Sequence, residues 1–306
     1  MNVLKSGVYP AMITPYNPDG TIDYEGVDKL VDWYIKNGCS GVFAACQSSE
    51  IYQLSMEERI ELVKRTVKAA NGRIDVVACG AVASDFDEML KEAKEISKLG
   101  IKAQVLLTNH LADENQSDDV LLNNLKRAAD ALPDIDLGLY EIPVPYKRLL
   151  TPEILKWCAD SDRFVFMKDT SCSIEQINEK LKVIKGSRLK LFNANSETLL
   201  DTVKLGAVGI SGIMCNYHPY LYSKMLNDFF EKGDTEEVWS LQHLISTLSY
   251  CCTSYPASAK YYLMHNNITK SDISRMGSPM DYNTRIMVDH MYEFTVSVEK
   301  YLQAQP

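Results

Sequence analysis

Eight short apolar runs, separated by longer amphipathic stretches, constrain the fold of this 306-residue chain more than any other feature. Most of the runs are continuously apolar rather than alternating, a pattern that is typical of parallel strands covered on both faces. Eight strand-then-helix units within about 220 residues predict an α/β fold, a (β/α)8 TIM barrel. The predicted strands cover residues 8–13, 41–45, 74–79, 103–107, 137–141, 164–167, 189–192 and 208–210.

The stretches between the runs carry helix signals. Residues 23–37 have apolar side chains at helical spacing. Ser55 is followed three residues later by Glu58, which is the pattern of a capping box. Thr151 precedes Pro152, which predicts an N-cap with proline at the first helical position.

The order of these elements predicts the organisation of the chain. After Pro219 the pattern is helical to the end, without further convincing strands. We therefore expect a barrel core over residues 1–218 and C-terminal helices over residues 219–306, which close and extend the barrel within one structural unit. An open, doubly wound sheet is the alternative, but the glycine-rich dinucleotide fingerprint does not follow the first strand.

Charge and cysteine content exclude several classes of partner. The net charge of −9 and pI near 5.2 argue against nucleic acid, because a phosphate-binding surface needs clustered lysine and arginine. No apolar run reaches the roughly 18 residues of a membrane span, and the chain begins without an apolar signal core. The eight cysteines form no C-x-x-C pair, and no histidine cluster has metal-ligand spacing. We therefore expect a cytoplasmic protein with reduced core thiols, no metal and no membrane contact.

Polar side chains follow four of the predicted strands. In a barrel, functional groups lie where the strands end and the βα loops begin. We therefore expect these four points to face one mouth. They are residues 46–50 after strand two, 140–141 at the end of strand five, 168–170 after strand six and 211–212 after strand eight.

Lys168 is the strongest candidate for a nucleophile. It directly follows the apolar run 164–167, and a partly dry mouth would lower the pKa of its ammonium group, as an amine nucleophile requires. The alternative is a structural ion pair with Asp169 or Glu141. Tyr140 would stand on the neighbouring strand, where a phenol can relay protons, although a tyrosine there can equally be part of the core.

Other polar residues near the predicted mouth are weaker candidates. The turn at residues 47–49 offers hydroxyl, amide and backbone N–H groups that can bind a carboxylate, and it is equally typical of a plain strand-to-helix turn. His110 and Glu141 could act as acids or bases, and Lys147 and Arg148 could attract an anion. Isolated residues of these types are more often structural or solvated.

Motifs at these strand ends share the spacing of a known family. Tyr140 opens the segment Y-E-I-P, Lys168 opens K-D-T-S, and the two residues are 28 positions apart. With these motifs the chain resembles the dihydrodipicolinate synthase and N-acetylneuraminate lyase family, from about Gly7 to beyond Lys260. The matching segments are residues 9–16, 46–50, 54–59, 140–143, 168–171 and 206–209.

The resemblance implies a (β/α)8 class I aldolase that forms a Schiff base with pyruvate or a related 2-keto acid. It implies that Lys168 forms the iminium and that Tyr140 is the proton relay and general acid/base. Ser48 would bind the keto-acid carboxylate, in a pocket that Gln47 would help to shape, and the backbone of Ser211 would meet the keto acid. No metal or organic cofactor is required, because the amine itself supplies the electron sink. The resemblance also implies a homotetramer or homodimer.

The chain departs from the family pattern at five places. Cys46 and Ser49 replace two loop glycines, and Gln47 replaces a small hydroxyl residue. Pro145 stands where the synthase branch has an arginine, and Leu111 stands near the place of a tyrosine that this branch takes from a neighbouring subunit. These departures argue against a synthase of the lysine pathway and leave the second substrate open.

We therefore predict a lyase that forms or breaks a C–C bond next to a 2-keto acid, with pyruvate as the expected donor or product and an unidentified acceptor. Three alternatives remain. They are a dehydratase of a deoxy-sugar keto acid that uses the same lysine, dihydrodipicolinate synthase itself, and a non-catalytic keto-acid-binding paralogue.

Overall fold

Eight parallel strands form the centre of the structure, a computed structural model that describes residues 3–277 and 279–304. Their register is continuous around the sheet in the order β1-β8-β7-β6-β5-β4-β3-β2. The strands are β1 (Gly7–Val8), β2 (Gly41–Ala44), β3 (Asp75–Ala78), β4 (Ala103–Leu107), β5 (Leu137–Tyr140), β6 (Phe164–Asp169), β7 (Lys190–Asn193) and β8 (Gly209–Ile210).

The sheet closes between its first two strands. Ala11 and Phe43 form a parallel bridge just beyond β1. The Met12 N–H donates to the Phe43 carbonyl oxygen at 3.0 Å, and the Phe43 N–H donates to the Pro10 carbonyl oxygen at 3.0 Å. These contacts turn the sheet into a barrel, which confirms the predicted (β/α)8 architecture.

Helices alternate with the strands and continue after the last one. The predicted capping box is present, since the Ser55 hydroxyl accepts from the Glu58 N–H at 3.2 Å while the Ser55 N–H donates to the Glu58 carboxylate at 3.0 Å. The helices are α1 (Tyr24–Lys36), α2 (Met56–Ala70), α3 (Phe86–Ser97), α4 (Thr108–Leu111), α5 (Asp118–Ala131), α6 (Pro152–Asp160), α7 (Ile174–Ile184), α8 (Leu199–Lys204), α9 (Pro219–Lys232), α10 (Glu236–Ser249), α11 (Ala257–Met264) and α12 (Tyr282–Gln303).

Two strand boundaries differ from the prediction by more than one residue. β1 ends at Val8 rather than at residue 13, in a stretch where Pro10 has no N–H to donate to a ladder. β6 continues through Asp169, so Lys168 lies inside the strand rather than after it. Its backbone is therefore fixed by pairing with both neighbouring strands.

Two irregular segments separate the last three helices in the helical region after Pro219. Residues 250–256, 265–277 and 279–281 have no regular helix between α10, α11 and α12. Thr253, Ser254 and Pro256 in the first segment are residue types that favour turns over helix. Both segments return to the mouth of the barrel, where they matter for the site described below.

The barrel interior is filled with aromatic rings below its carboxyl end. The Phe192 ring lies 4.6 Å from the Tyr9 ring and 5.0 Å from the Phe166 ring, centroid to centroid. Phe43 packs edge-on against Phe166 at 5.6 Å and against Tyr140 at 5.4 Å. This packing closes the interior and leaves only the carboxyl ends of the strands for a site.

The eight cysteines are all unpaired thiols. Five are buried, but the prediction of core thiols is wrong for the exposed Cys172 and for the partly exposed Cys251 and Cys252. These three lie in irregular segments outside the strands and helices. Over the residues that the structure describes, no helix combines the length and the apolarity needed to cross a bilayer.

Candidate active site

Lys168 and Tyr140 meet at the carboxyl end of the barrel. The two residues are direct register partners of β6 and β5, so their side chains leave the sheet on the same face. The Lys168 Nζ lies 4.6 Å from the centroid of the Tyr140 ring and 5.8 Å from that of Phe43. The structure therefore brings together the two residues that the sequence singles out for catalysis.

The Lys168 amine is buried without a carboxylate partner among the described residues. The residue is only 3% exposed, and its ammonium group lies over the faces of the Tyr140 and Phe43 rings. Burial lowers the pKa of Lys168 below its ordinary value, because the ammonium loses its hydration. The amine is thereby shifted toward the neutral, nucleophilic form.

The carboxylates next to Tyr140 and Lys168 are held on the other side of the sheet. Side chains alternate along a strand, so Glu141 and Asp169 point outward toward α7. The Lys180 Nζ donates to the Glu141 carboxylate at 2.6 Å and to the Asp169 carboxylate at 2.6 Å. The structural ion pair considered for Lys168 is therefore made by Lys180 instead.

This buried triad has its own electrostatics. Burial raises the pKa of Glu141 to about 7, although Lys180 acts in the opposite direction. Burial lowers the pKa of Lys180, but the two carboxylates outweigh it, and the pKa ends above its ordinary value. The Glu141 carboxylate also accepts from the backbone N–H groups of Leu150 at 2.8 Å and Thr170 at 3.3 Å. The triad thus joins β5, β6 and α7 directly behind the two candidate catalytic residues.

The turn after β2 reaches the same place. It forms a short 3-10 helix, Gln47–Ser49, and the Gln47 amide oxygen accepts from the Tyr140 hydroxyl at 3.3 Å. Cys46, at a family glycine position, has a φ of −105°, and the positive φ values of this turn fall on Ala45 and Glu50. The loss of that glycine is therefore compatible with the backbone of this turn.

A cavity of about 320 Å³ opens at the carboxyl ends of the strands. It lies over Lys168 and takes in residues from the loops after β2, β5, β6, β7 and β8, together with the two irregular C-terminal segments. The lining residues are Gln47, Ser48, Tyr140, Pro143, Lys168, Thr170, Ala194, Ile213, Tyr255 and Met276.

Other sequence candidates lie outside this lining. Ser211 is fully buried, and its N–H donates to the Asn193 carbonyl oxygen at 2.8 Å. The His110 ring stacks on Tyr52, with 6.1 Å between centroids, and faces a neighbouring cavity. Arg148 is paired with Asp118 at 2.7 Å. The structure therefore places Lys168, Tyr140, Gln47 and Ser48 around one cavity and leaves Ser211, His110 and Arg148 apart from its lining.

Tyr255 is a lining residue that the sequence analysis did not identify. Its hydroxyl accepts from the Asn216 amide at 3.1 Å. Burial raises the pKa of Tyr255 well above its ordinary value, and the nearby Ser48 side chain acts in the opposite direction. The break in helical pattern at Tyr255-Pro256 is the signal that could have drawn attention to this position.

Met276 is the second lining residue that the sequence did not indicate. Its N–H donates to the Glu50 carboxylate at 3.2 Å, and the Arg275 N–H donates to the same oxygen at 2.6 Å. The other Glu50 oxygen accepts from Lys260, whose Nζ also donates to the Ile273 carbonyl oxygen at 2.7 Å. A buried ion pair thus holds the 273–276 segment at the mouth of the cavity.

The described residues contain no group of three or more His, Cys, Asp and Glu side chains placed to hold a metal ion. The cavity instead presents one buried amine, a phenol beside it, and amide and hydroxyl groups from the turn after β2. An amine in its neutral form can add to a carbonyl carbon, and a neighbouring phenol can move the protons of that addition.

Sequence comparison identifies the family. A sequence model described as the dihydrodipicolinate synthetase family matches residues 4–280. The 4-hydroxy-tetrahydrodipicolinate synthase of Marinobacter nauticus is 29% identical over 273 residues, which cover 89% of each protein. The enzyme of the same name from Thermodesulfovibrio yellowstonii is 28% identical over 243 residues, which cover 79% of this chain and 81% of that protein.

Solved structures share the barrel fold. Dihydrodipicolinate synthase from Acinetobacter baumannii, described as complexed with pyruvate, superposes with a TM-score of 0.85 at 23% identity and covers 95% of this chain and 99% of its own. A dihydrodipicolinate synthase described as the first monomeric variant gives a TM-score of 0.85 at 20% identity, over 95% of this chain and 97% of its own. The match over nearly the whole chain confirms the resemblance and the prediction of a lyase of the class I aldolase type. The chain belongs to the dihydrodipicolinate synthetase family.

Proposed function

We propose that Lys168 forms a Schiff base with a 2-keto acid, with pyruvate as the expected donor or product, and that the resulting enamine forms or breaks the adjacent C–C bond. The observation that carries this proposal is the Lys168 amine, buried at the floor of a cavity without a carboxylate partner among the described residues. Burial lowers the pKa of this amine, which shifts it toward the neutral, nucleophilic form.

The neighbouring groups have roles that follow from their positions. The Lys168 amine attacks the keto carbon, and water leaves as the iminium forms. Tyr140 moves the protons of this step, with its hydroxyl oriented by the Gln47 amide. Ser48 and Gln47 bind the carboxylate of the keto acid, and the backbone of Ser211, just after β8, meets the keto acid. Loss of a proton from the neighbouring carbon then gives the enamine, which is the carbon nucleophile of an aldol step.

The comparisons support this chemistry and leave room for another second substrate. The related proteins are named 4-hydroxy-tetrahydrodipicolinate synthase, and one related structure is described with pyruvate. Pro145 takes the place of the synthase arginine, and Arg148 is paired with Asp118, so it does not replace that arginine at the cavity. A buried leucine, Leu111, stands near the position of the synthase tyrosine. Both features favour a member of the family with a different acceptor.

The proposal is tested by trapping the imine. The protein is incubated with pyruvate and borohydride, and its intact mass is measured. We expect one reduced pyruvate adduct per chain, and the same yield for the control variant Lys156→Ala, whose lysine is exposed on α6 and paired with Asp160. Absence of any adduct with pyruvate and with other 2-keto acids would contradict the proposal. Loss of water from a sugar acid without C–C cleavage would instead indicate the dehydratase.

Three further properties stay predictions. They are the cytoplasmic location, the assembly as a homotetramer or homodimer, and the division into a barrel core and C-terminal helices within one structural unit.

A further inference from the structure

The cavity over Lys168 carries little charge. Among its lining residues in the described chain, Lys168 is the only amine, and no carboxylate, arginine or histidine is present. Its remaining polar members are amide, hydroxyl and phenol groups. Once the keto acid is bound at Lys168, a phosphate or carboxylate group of the second substrate would have no cationic partner among these lining residues.

Three cationic side chains from segments next to the cavity are hydrogen-bonded or ion-paired to protein groups. The Lys147 Nζ donates to the Thr170 carbonyl oxygen at 2.7 Å, and Arg148 is paired with Asp118. Arg275 precedes a lining residue, but its guanidinium pairs with both oxygens of Glu58 at 2.8 Å and also donates to the Gly20 carbonyl oxygen. None of these three side chains lines the cavity.

Three polar side chains of the cavity already have hydrogen-bond partners. The Gln47 amide oxygen accepts from the Tyr140 hydroxyl, and the Tyr255 hydroxyl accepts from the Asn216 amide. The Thr170 hydroxyl donates to the Glu141 carbonyl oxygen. A polyhydroxylated aldehyde would therefore have to break existing hydrogen bonds in order to satisfy its own.

Apolar side chains converge at the mouth from three separate segments. Ile213 follows β8 and is 37% exposed, Met276 lies in the irregular segment before α12 and is 45% exposed, and Pro143 in the loop after β5 is also exposed. All three line the same cavity. Exposed apolar side chains that meet around a cavity are typical of a ligand-binding surface.

From this distribution of charge and apolar surface we infer that the second substrate is a neutral aldehyde with an apolar body, aromatic or branched aliphatic, that packs on Pro143, Ile213 and Met276. The inference rests on the proposed Schiff-base function and specifies its acceptor. The enamine carbon attacks the aldehyde carbon, a C–C bond forms, and the aldehyde oxygen takes up a proton. Water then hydrolyses the iminium, which returns the Lys168 amine and releases a 4-hydroxy-2-keto acid. The reverse reaction cleaves the same bond, and neither direction requires an oxidant or reductant.

The test compares acceptors under identical conditions. Pyruvate is offered together with benzaldehyde, 3-methylbutanal, glyceraldehyde or glyceraldehyde 3-phosphate, and the aldol product is quantified by mass spectrometry. We expect kcat/KM for the two apolar aldehydes to exceed that for the other two by at least about 10-fold, because each buried methylene contributes a discrimination of this order. Met276→Ala and Ile213→Ala should each reduce this preference by about 3- to 10-fold. Leu205→Ala, an exposed apolar residue just before β8 at the opposite end of the barrel, serves as the matched control and should leave the preference unchanged.

Imine trapping with pyruvate alone is measured in every variant, which separates the two claims. If the unmodified protein traps no 2-keto acid, the proposed function falls and the acceptor inference falls with it. If it traps pyruvate but prefers glyceraldehyde or glyceraldehyde 3-phosphate, or turns over none of the four aldehydes, only the acceptor inference is overturned. An unchanged preference in both Met276→Ala and Ile213→Ala would overturn it as well.

Discussion

Lys168 and Lys180 are both almost fully buried, and they lie on opposite sides of the same β-sheet. Lys180 lies between the barrel and the outer helices. Its Nζ is 2.6 Å from an oxygen of each of two carboxylates, and its pKa is raised above the ordinary value. Lys168 lies inside the mouth of the barrel, where its ammonium group faces the Tyr140 and Phe43 rings, and burial lowers its pKa. Burial alone therefore does not make a lysine nucleophilic, because nearby carboxylates stabilise the ammonium and oppose the effect of burial.

Lys260 extends the comparison. It is fully buried, and burial lowers its pKa to about 8 despite its ion pair with Glu50. Its Nζ is also bound to the Ile273 carbonyl oxygen, and it lies outside the lining of the cavity. A lowered pKa without access to a cavity gives a structural lysine, so the candidate nucleophile needs both.

Replacing Lys168 by methionine should have the largest effect on chemistry and the smallest cost in stability. Imine trapping should fall by at least about 1,000-fold, because Lys168 is the only amine that lines the cavity in the described part of the chain. The free energy of unfolding should stay the same or rise, because the folded state no longer buries an amine without a partner. Trapping yield and urea denaturation measure the two quantities. A strong loss of stability would mean that Lys168 has a structural role.

Tyr140→Phe should lower the rate of imine formation by about 100- to 10,000-fold, the range expected when a positioned proton-transfer group is lost. The ring remains, so the aromatic contact with Lys168 is retained and the adduct should still form on Lys168. Single-turnover trapping with pyruvate measures the rate. A rate within about 3-fold of the unmodified protein would remove Tyr140 from the proton relay.

Lys180→Met should have the reverse pattern to Lys168→Met, with a large loss of stability. Removing one partner of a buried ion pair leaves the Glu141 and Asp169 carboxylates uncompensated, which costs about 3 to 5 kcal/mol of the free energy of unfolding. The matched control is Arg188→Met, which breaks a more exposed pair with Asp136 at the amino ends of β5 and β7 and should cost about 1 kcal/mol or less. Equal losses in the two variants would contradict the contrast between the two buried lysines.

The pH dependence of stability should report the Glu141 carboxyl. Because its pKa is raised to about 7 in the folded protein, this group holds a proton between about pH 4.5 and 7 that the unfolded chain has lost. Its contribution to the free energy of unfolding therefore falls as the pH rises through this window. Relative to the unmodified protein, Glu141→Gln should gain about 1 to 3 kcal/mol between pH 5 and pH 7.5. Urea denaturation at both pH values tests this, and a difference independent of pH would contradict the raised pKa.

The sequence was sufficient to predict the barrel and its two central residues. Continuous apolar runs identify parallel strands, and a lysine and a tyrosine at the ends of neighbouring runs must lie close together once those strands pair. Lys180 could not be predicted in the same way. It stands in an amphipathic helix, where a lysine is normally solvated, and only the packing of α7 over β5 and β6 brings it to two buried carboxylates.

The residues on the apolar side of the cavity also could not be predicted from the sequence. Tyr255 and Met276 reach the mouth from irregular segments far along the chain from Lys168. Periodicity describes only local structure, so it cannot indicate which loop crosses the barrel mouth. The Glu50 carboxylate that holds the 273–276 segment is a contact of this long-range kind.

The most direct test of the contrast between buried lysines is peptide mapping of the borohydride-trapped protein. After reaction with pyruvate, the chain is digested and the adduct is quantified on the peptides that carry Lys168, Lys180 and Lys260. We predict that essentially all of the adduct lies on Lys168 and none on the other two lysines. An adduct on Lys180 or Lys260, with Lys168 unmodified, would contradict it.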